Sequence, residues 1–409
     1  MSVSSLPFLH GALAAVLPKL AAWRRDFHAH PEAGWTEFRT AALIIRRLRE
    51  LGYAIRMGEA ACASDRRMGV PSSAVLAAAR ERALEHGADA ELVAGMGDGY
   101  TGFWADLDCG PGPVTAFRFD MDCNEVAECA EESHRPVREG FASRWPGLMH
   151  ACGHDGHAAV GLGLAEVLVS IRRHLRGRIR LIFQPAEEGA RGALPMSEAG
   201  AVDGVDVLFG FHIGFKAEGP GSLICGTQGF LATTKRDVLF SGVPAHAGAA
   251  PEEGKDALLA ACSAVVNLHA ISRNGKGGTR IAVGRLEGGE ARNVIPASAR
   301  LFMETRGETT ELDAYMTAES ERILRASADL WGCACEWRTV GNSAGGGSSP
   351  ELARLIATVA EAMGGWKTVI PMSGFGATED FACLMSRVQA SGGLASYLQV
   401  GTDRAAGHH

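Results

Sequence analysis

The chain has 409 residues, too many for one ordinary core, so two domains are expected. A formal net charge of -7, with 40 scattered Lys and Arg and no long basic run, argues against nucleic acid or an anionic membrane as a partner. Ten thinly spread cysteines are far below the density of a disulfide scaffold and fit a reducing cytoplasm, and no stretch is long and apolar enough to span a bilayer.

The apolar segment Phe8 to Leu17 has no Lys or Arg before it and no small-residue cleavage site, so it reads as a first amphipathic helix running toward Arg25. Thr36 to Leu51 carries Phe38, Ala41, Ala42, Ile45, Leu48 and Leu51 at helical spacing, with Thr36 as N-cap and Gly52 as the terminating residue. The Ala-, Arg- and Glu-rich stretch from Met57 to Gly99 reads as helical decoration. Residues 102–108 and 113–120 read as strands around the turn Gly110-Pro111-Gly112. A helix over 155–175 follows, then strands at Ile179 to Phe183 and Val205 to Ile213. Alternating strands and helices predict an α/β fold, a central sheet with helices on both faces.

Residues 231–341 have an order of their own. Strand 233–241, helix 254–272, strands 279–286 and 299–306, helix 310–331 and strand 333–340 make a βαββαβ, ferredoxin-like pattern. The simplest account is a unit inserted into a larger catalytic domain built from 1–230 and 342–409, with the Gly/Ser-rich segment Gly341 to Ser349 as the linker back.

Three segments carry chemistry. In Met149-His150-Ala151-Cys152-Gly153-His154-Asp155-Gly156-His157, a thiol and an imidazole two residues apart can reach one metal, and the helix that follows favours the thiolate through its dipole. Phe183-Gln184-Pro185-Ala186-Glu187-Glu188-Gly189 follows an apolar strand directly, and open α/β sheets place their sites beyond the carboxyl ends of strands. Adjacent carboxylates there can diverge, one binding metal and the other moving protons. Gly210-Phe211-His212-Ile213-Gly214 ends the next strand. Such a histidine alone is an ordinary core residue, and its place beside the other two segments gives it weight. In the inserted unit, His246, Asn293 and Arg306 each follow or end a strand and are individually weak signals, although an Arg fork suits a carboxylate.

The motifs MHACGHDGHAAVGLG, FQPAEEGARGA, GFHIG, AHAGAAPEEGKDAL and ARNVIPA resemble the aminoacylase, hippurate hydrolase and indole-acetyl-amino-acid hydrolase branch of the two-metal metallopeptidases. WRRDFHAHPEAGWTEFRTA, the insertion near SDRRMGVP, SHRPVREGFAS and the final AAGHH are similar to the subtype typified by p-aminobenzoyl-glutamate hydrolases. The resemblance implies a zinc-peptidase-like catalytic domain with a mixed central sheet, and metal-dependent hydrolysis of the amide bond of N-acyl amino acids, p-aminobenzoyl-glutamate first. A hippurate-like or indole-acetyl conjugate is the other enzymatic reading, and a catalytically disabled binding or scaffold homologue a third. The resemblance makes Cys152, His154, Glu188, His212 and His409 ligands of two divalent ions, Mn2+ favoured over Zn2+, with Cys152 bridging. It makes Glu187 the general base and acid, His246 a group polarising the substrate carbonyl, and Asn293 and Arg306 holders of its carboxylate. It also implies a homodimer through the inserted unit, with His246 reaching the partner's active site, and a homologous second subunit. Family members continue past the histidine matching His409, so the expectation is either a catalytic domain trimmed at its C-terminal end or a sequence that is part of a longer chain.

Overall fold

The computed structural model describes residues 7–403 and divides into two compact units. The first comprises the described residues up to Gln228, Gly347–Phe375 and those from Asp380 onward. The second comprises Gly229–Gly346 and Gly376–Glu379.

The first unit begins with α1 (Pro7–Ala29), α2 (Phe38–Glu50), β1 (Ala54–Met57), α3 (Ser73–Glu85) and α4 (Ala90–Gly95). Next come β2 (Phe103–Asp108), β3 (Val114–Asp120), the single turn α5 (Arg135–Arg138), α6 (His154–Ser170) and β4 (Arg178–Gln184). The stretch closes with α7 (Ala193–Glu198), β5 (Val207–Glu218) and β6 (Ser222–Ile224). The short strands β7 (Thr227–Phe230) and β14 (Gly346–Gly347) carry the chain across the boundary between units. On return the chain forms α10 (Pro350–Met363), β15 (Thr368–Ile370), β16 (Ser373–Gly374), α11 (Phe381–Ala390) and β17 (Leu394–Thr402).

Eight of these strands form one mixed sheet in the order β1-β2-β4-β3-β5-β17-β6-β15. Its central run β4-β3-β5-β17 is parallel, so the carboxyl ends of β3 and β4 lie side by side next to β5, which runs on past them to Glu218. Helices cover both faces. The core contributed by α2 and α6 is continuous with Phe103, Phe119 and Phe183 of the sheet, and Phe103 stacks on Phe183 at 5.0 Å between ring centroids. Phe381 of α11 packs at 5.2 Å from Tyr397 of β17. Among the described residues no helix is long and apolar enough to cross a membrane.

The α2 terminus follows its sequence at one end and departs from it at the other. Gly52 takes φ +85, Tyr53 N donates to Leu48 O and Gly52 N to Arg49 O, the paired bonds that close a helix on a left-handed glycine. Thr36, the expected N-cap, instead donates its hydroxyl to Ala33 O. The cap comes from upstream: the buried Glu32 carboxylate accepts from Arg39 N at 2.9 Å and Thr40 N at 2.8 Å. An anion at a helix N-terminus satisfies otherwise orphaned amides and complements the dipole.

The second unit contains β8 (Ala232–Ser241), β9 (Ala245–His246), α8 (Ala257–His269), β10 (Thr279–Gly288), β11 (Val294–Ile295), β12 (Ser298–Gly307), α9 (Thr310–Leu330) and β13 (Ala334–Ser343). Its antiparallel sheet has the order β10-β12-β8-β13, the ferredoxin-like arrangement of a βαββαβ chain. A small-residue face of α8, Ala257, Ala260, Ala261 and Ala264, packs with Val238, Phe240, Leu301 and Met303 of the sheet. The expected linker is shorter than its composition suggested. β13 runs on to Ser343 because Gly341, Asn342 and Ser343 find ladder partners in Lys235, Thr234 and Thr233.

Replacing Glu32 with Ala leaves two buried amides without acceptors, and we expect a loss of about 1–3 kcal/mol in denaturant unfolding. Glu32→Gln, which retains a carbonyl acceptor, is expected to lose less.

Candidate active site

The site forms where the loops after β3 and β4, the start of α6 and the middle of β5 meet; His212, expected at the end of a strand, lies inside β5, which runs on to Glu218. Gly153, at φ +84, ends the loop before α6, and a β-carbon there would meet Ile213 Cδ1 at 3.0 Å. That close approach sets Cys152 beside β5: its Sγ lies 3.4 Å from His212 Nε2. His154, the first residue of α6, donates from Nδ1 to Asp122 O at 2.9 Å. Its Nε2 is buried without a hydrogen-bond partner. His212 Nδ1 donates to Ile213 O at 2.7 Å, which directs its Nε2 lone pair toward Cys152.

These donors fit a cation. Cys152, His154 and His212 each offer a ligand atom within 4.8 Å of the others, and so do His154, Glu187 and Glu188. Thiolate, imidazole and carboxylate suit a divalent transition metal. His157 also stands close, but both its nitrogens are engaged: Nδ1 with Asp120 Oδ1 at 2.6 Å, and Nε2 as acceptor from Ile213 N at 3.1 Å. It orients rather than ligates. His150 is buried, which pushes its pKa down to about 4 and keeps it neutral.

The protonation pattern before any cation arrives follows from burial and neighbours. Burial pushes the Cys152 thiol up to about 12, outweighing the adjacent His154; the expected dipole-stabilised thiolate therefore needs a cation. Burial and the neighbouring His157 and His154 hold His212 well below the ordinary range, so it is neutral. For His154 burial pulls downward, but the carboxylate of Asp120, the hydrogen bonding with Asp122 and the nearby Cys152 raise it well above the ordinary range.

The acid pair Glu187-Glu188 is held through its backbone. Glu187 N and Glu188 N donate to Asp122 Oδ1 and Oδ2 at 3.0 and 2.9 Å. Ala186 N donates to Glu37 Oε1 at 2.8 Å, and Thr101 Oγ1 donates to Glu37 Oε2 at 2.6 Å. Beneath them Arg118 pairs with both Asp120 and Asp380, and Asp380 accepts from Gly192 N and Ala193 N at the start of α7.

Five of the expected site residues, Cys152, His154, Glu187, Glu188 and His212, are thus brought together. His246, Asn293 and Arg306 belong to the second unit. There His246 faces Val294 across the β9–β11 ladder, and Ala247 N donates to Asn293 O. His246 Nδ1 accepts from Gly248 N and Ala249 N, both at 3.1 Å, so its proton resides on Nε2. Arg306, on β12, binds Glu304 at 2.7 Å. His409 lies outside the described residues. Asp120, Asp122, Glu37 and Asp380 were not singled out from the sequence. For the first two a signal existed, since Phe119-Asp120-Met121-Asp122 ends an apolar strand just as Glu187-Glu188 follows one.

Burial, reinforced by Asp122, pushes the Glu37 carboxyl up to about 8. A carboxyl that holds its proton longer in the folded state than in the unfolded one makes stability fall as pH rises between the two values. We expect the metal-free protein to lose thermal stability from about pH 4.5 to about pH 8, and Glu37→Gln to flatten that slope.

A profile of peptidase family M20/M25/M40 matches residues 116–409. A p-aminobenzoyl-glutamate hydrolase chain from Escherichia coli K12, named as one subunit of that enzyme, is 45% identical over 397 residues, 97% of this chain and 91% of that protein. Indole-3-acetyl-aspartic acid hydrolase of Enterobacter agglomerans is 44% identical over 406 residues, 99% and 93% of the two chains. The crystal structure of an aminobenzoyl-glutamate utilization protein from Klebsiella pneumoniae superposes with a TM-score of 0.86 at 41% identity, covering 96% of this chain and 93% of that one. A Bacillus subtilis protein described as a dinuclear metal binding peptidase of the M20 family superposes at 0.61 with 25% identity, covering 97% and 92%. With that match, and with relatives of 44% and 45% identity over nearly the whole chain, the chain belongs to peptidase family M20/M25/M40.

Proposed function

We propose that the protein is a metal-dependent amidohydrolase that cleaves N-acyl amino acids, with p-aminobenzoyl-glutamate as its leading substrate. The observation that carries this reading is the buried His154 Nε2, without a hydrogen-bond partner and grouped with Cys152, His212, Glu187 and Glu188. Cys152, His154, Glu188 and His212, with His409, are assigned as ligands of two divalent cations, Mn2+ favoured. Bound there, such a pair supplies a water acidified toward neutrality and a Lewis acid for the scissile carbonyl.

The residues of the chain do the rest. The Glu187 carboxylate takes the proton of the attacking water and returns it to the leaving amine nitrogen. The second unit supplies the substrate-handling groups. His246 donates from Nε2 to the carbonyl oxygen as negative charge develops there. Asn293 and Arg306 hold the free carboxylate of the amino acid, which aligns the amide for attack. This reading includes a homodimer through the second unit, a cytoplasmic location and a homologous second subunit.

The two curated relatives point to one substrate class, since the names of both describe an aromatic acyl group on an acidic amino acid. Indole-3-acetyl-aspartate is therefore the second substrate to test. We expect turnover of both compounds to exceed that of benzoylglycine; equal or better turnover of benzoylglycine overturns the preference for an acidic amino acid.

Glu187→Gln is expected to lower kcat by about a thousand-fold while metal content stays at the wild-type level. A full loss of metal in that variant would instead mark Glu187 as a ligand. Chelation is expected to abolish turnover and Mn2+ to restore it. Because Cys152 and His154 must lose protons to ligate, apparent metal affinity is expected to rise with pH, measurable by competition with a chelator.

A further inference from the structure

Three successive amides, those of Ala186, Glu187 and Glu188, are each accepted by the oxygen of a fully buried carboxyl group. Asp122 takes two of them and Glu37 the third. The Glu37 amide partner is the unusual one. Ala186 sits at φ +50, a conformation that a residue with a β-carbon rarely adopts. It is completely buried against Trp35 and Cys62, so solvent cannot satisfy its amide. The turn is closed further by Arg191 N donating to Ala186 O and Ala190 N to Glu187 O. A run of amides turned inward in this way forms a concave anion cradle, here filled by the protein's own side chains.

The consequence is geometric. The turn at Ala186 leads directly into the two adjacent acids, and an oxygen of each reaches the same place: His154, Glu187 and Glu188 bring ligand atoms within 4.8 Å of one another. His154 Nε2 lies 4.0 Å from Glu187 Oε2 and shares a ligand-sized cluster with Glu188. Without an acceptor at Glu37, the Ala186 amide would be buried and unpaired, and the strained turn would relax. We propose that Glu37, held by the Thr101 hydroxyl, is a positioning residue for the hydrolytic reaction: its reach to the Ala186 amide aims the Glu187 carboxylate. This rests on the reading that Glu187 is the proton-transferring group. Glu37 touches neither substrate nor metal, and acts only through residues 186–188.

Two conservative variants separate reach from charge. Glu37→Gln keeps the chain length and a carbonyl oxygen for Ala186 N; Glu37→Asp keeps the carboxylate and withdraws it by one methylene. Both are purified as full chains and loaded with Mn2+. Metal content, kcat and KM for p-aminobenzoyl-glutamate, and hydrogen exchange of the segment 185–192 are then measured. We expect Glu37→Gln to retain kcat within about five-fold of wild type and to keep the segment protected. Glu37→Asp is expected to lose kcat by about thirty- to a hundred-fold, with KM changed less than about three-fold and metal content unchanged. Its segment 185–192 should exchange at least about ten-fold faster while β4 stays protected.

The reverse order, an active Asp variant and an impaired Gln variant, would mean that Glu37 acts through its charge and overturns the proposal. So would unchanged kcat and unchanged exchange in both. Should wild-type protein turn over no N-acyl amino acid, the reading of function fails by itself, and the exchange comparison still decides whether Glu37 holds the turn.

Discussion

One carboxylate organises the catalytic unit. Asp122 accepts the amides of Glu187 and Glu188 through its two oxygens, while its backbone carbonyl accepts the Nδ1 proton of His154. A single residue therefore joins the loop after β3, the loop after β4 and the first turn of α6. It fixes the tautomer of one imidazole and the course of the backbone between two acids. Asp122 is fully buried, and a buried charge persists only where its lone pairs are met. That requirement accounts for much of the surrounding structure.

The same logic extends downward from the site. Arg118 is buried to the last atom and pairs with Asp120 and Asp380, while its Nε donates to Gln184. Asp120 in turn fixes His157, which receives the amide of Ile213 and so steadies the middle of β5 beside His212. Asp380 closes the circuit by accepting the amides that begin α7 and the side chain of Gln184. Removing one member of such a network leaves a buried charge uncompensated, which costs far more than an exposed ion pair contributes. On the α1 side, Asp155 receives His28 and Arg24, tying the first turn of α6 to the N-terminal helix. The site is thus rigid because its charges have nowhere else to go.

Proton placement before metal binding is complementary to what a cation needs. Cys152 keeps its proton and His212 keeps its lone pair, an arrangement 3.4 Å across that a divalent ion would replace by two bonds. Burial lowers the cost of that exchange for the neutral imidazole and raises it for the thiol, so cation binding and proton release are one event. The second unit is built on a different economy. Its core is a sheet with two helices, small residues on α8 allowing close approach, and its His246 and Asn293 sit at a short exposed ladder.

Local sequence determined the elements and most of the chemistry. Alternation, helical spacing and glycine stops marked the strands and helices, and the Cys152-x-His154 pair and the Glu187-Glu188 pair announced themselves by residue type at the start of a helix and just after a strand, whereas His212 lies inside β5 and not at the strand end its local pattern suggested. These are short-range properties, readable because donor spacing and apolar periodicity repeat within a few residues. Tertiary structure alone decided which partners those groups would have. Glu32 caps α2 from outside the helix in place of Thr36, and β13 absorbs part of the Gly/Ser-rich linker because β8 offers it partners. Glu37 meets Ala186 across 149 residues, and Asp122 meets Glu187 across 65. Hydrogen bonds between buried groups depend on where separate segments come to rest in space. A carboxylate that will hold a catalytic turn looks, in sequence, like any other.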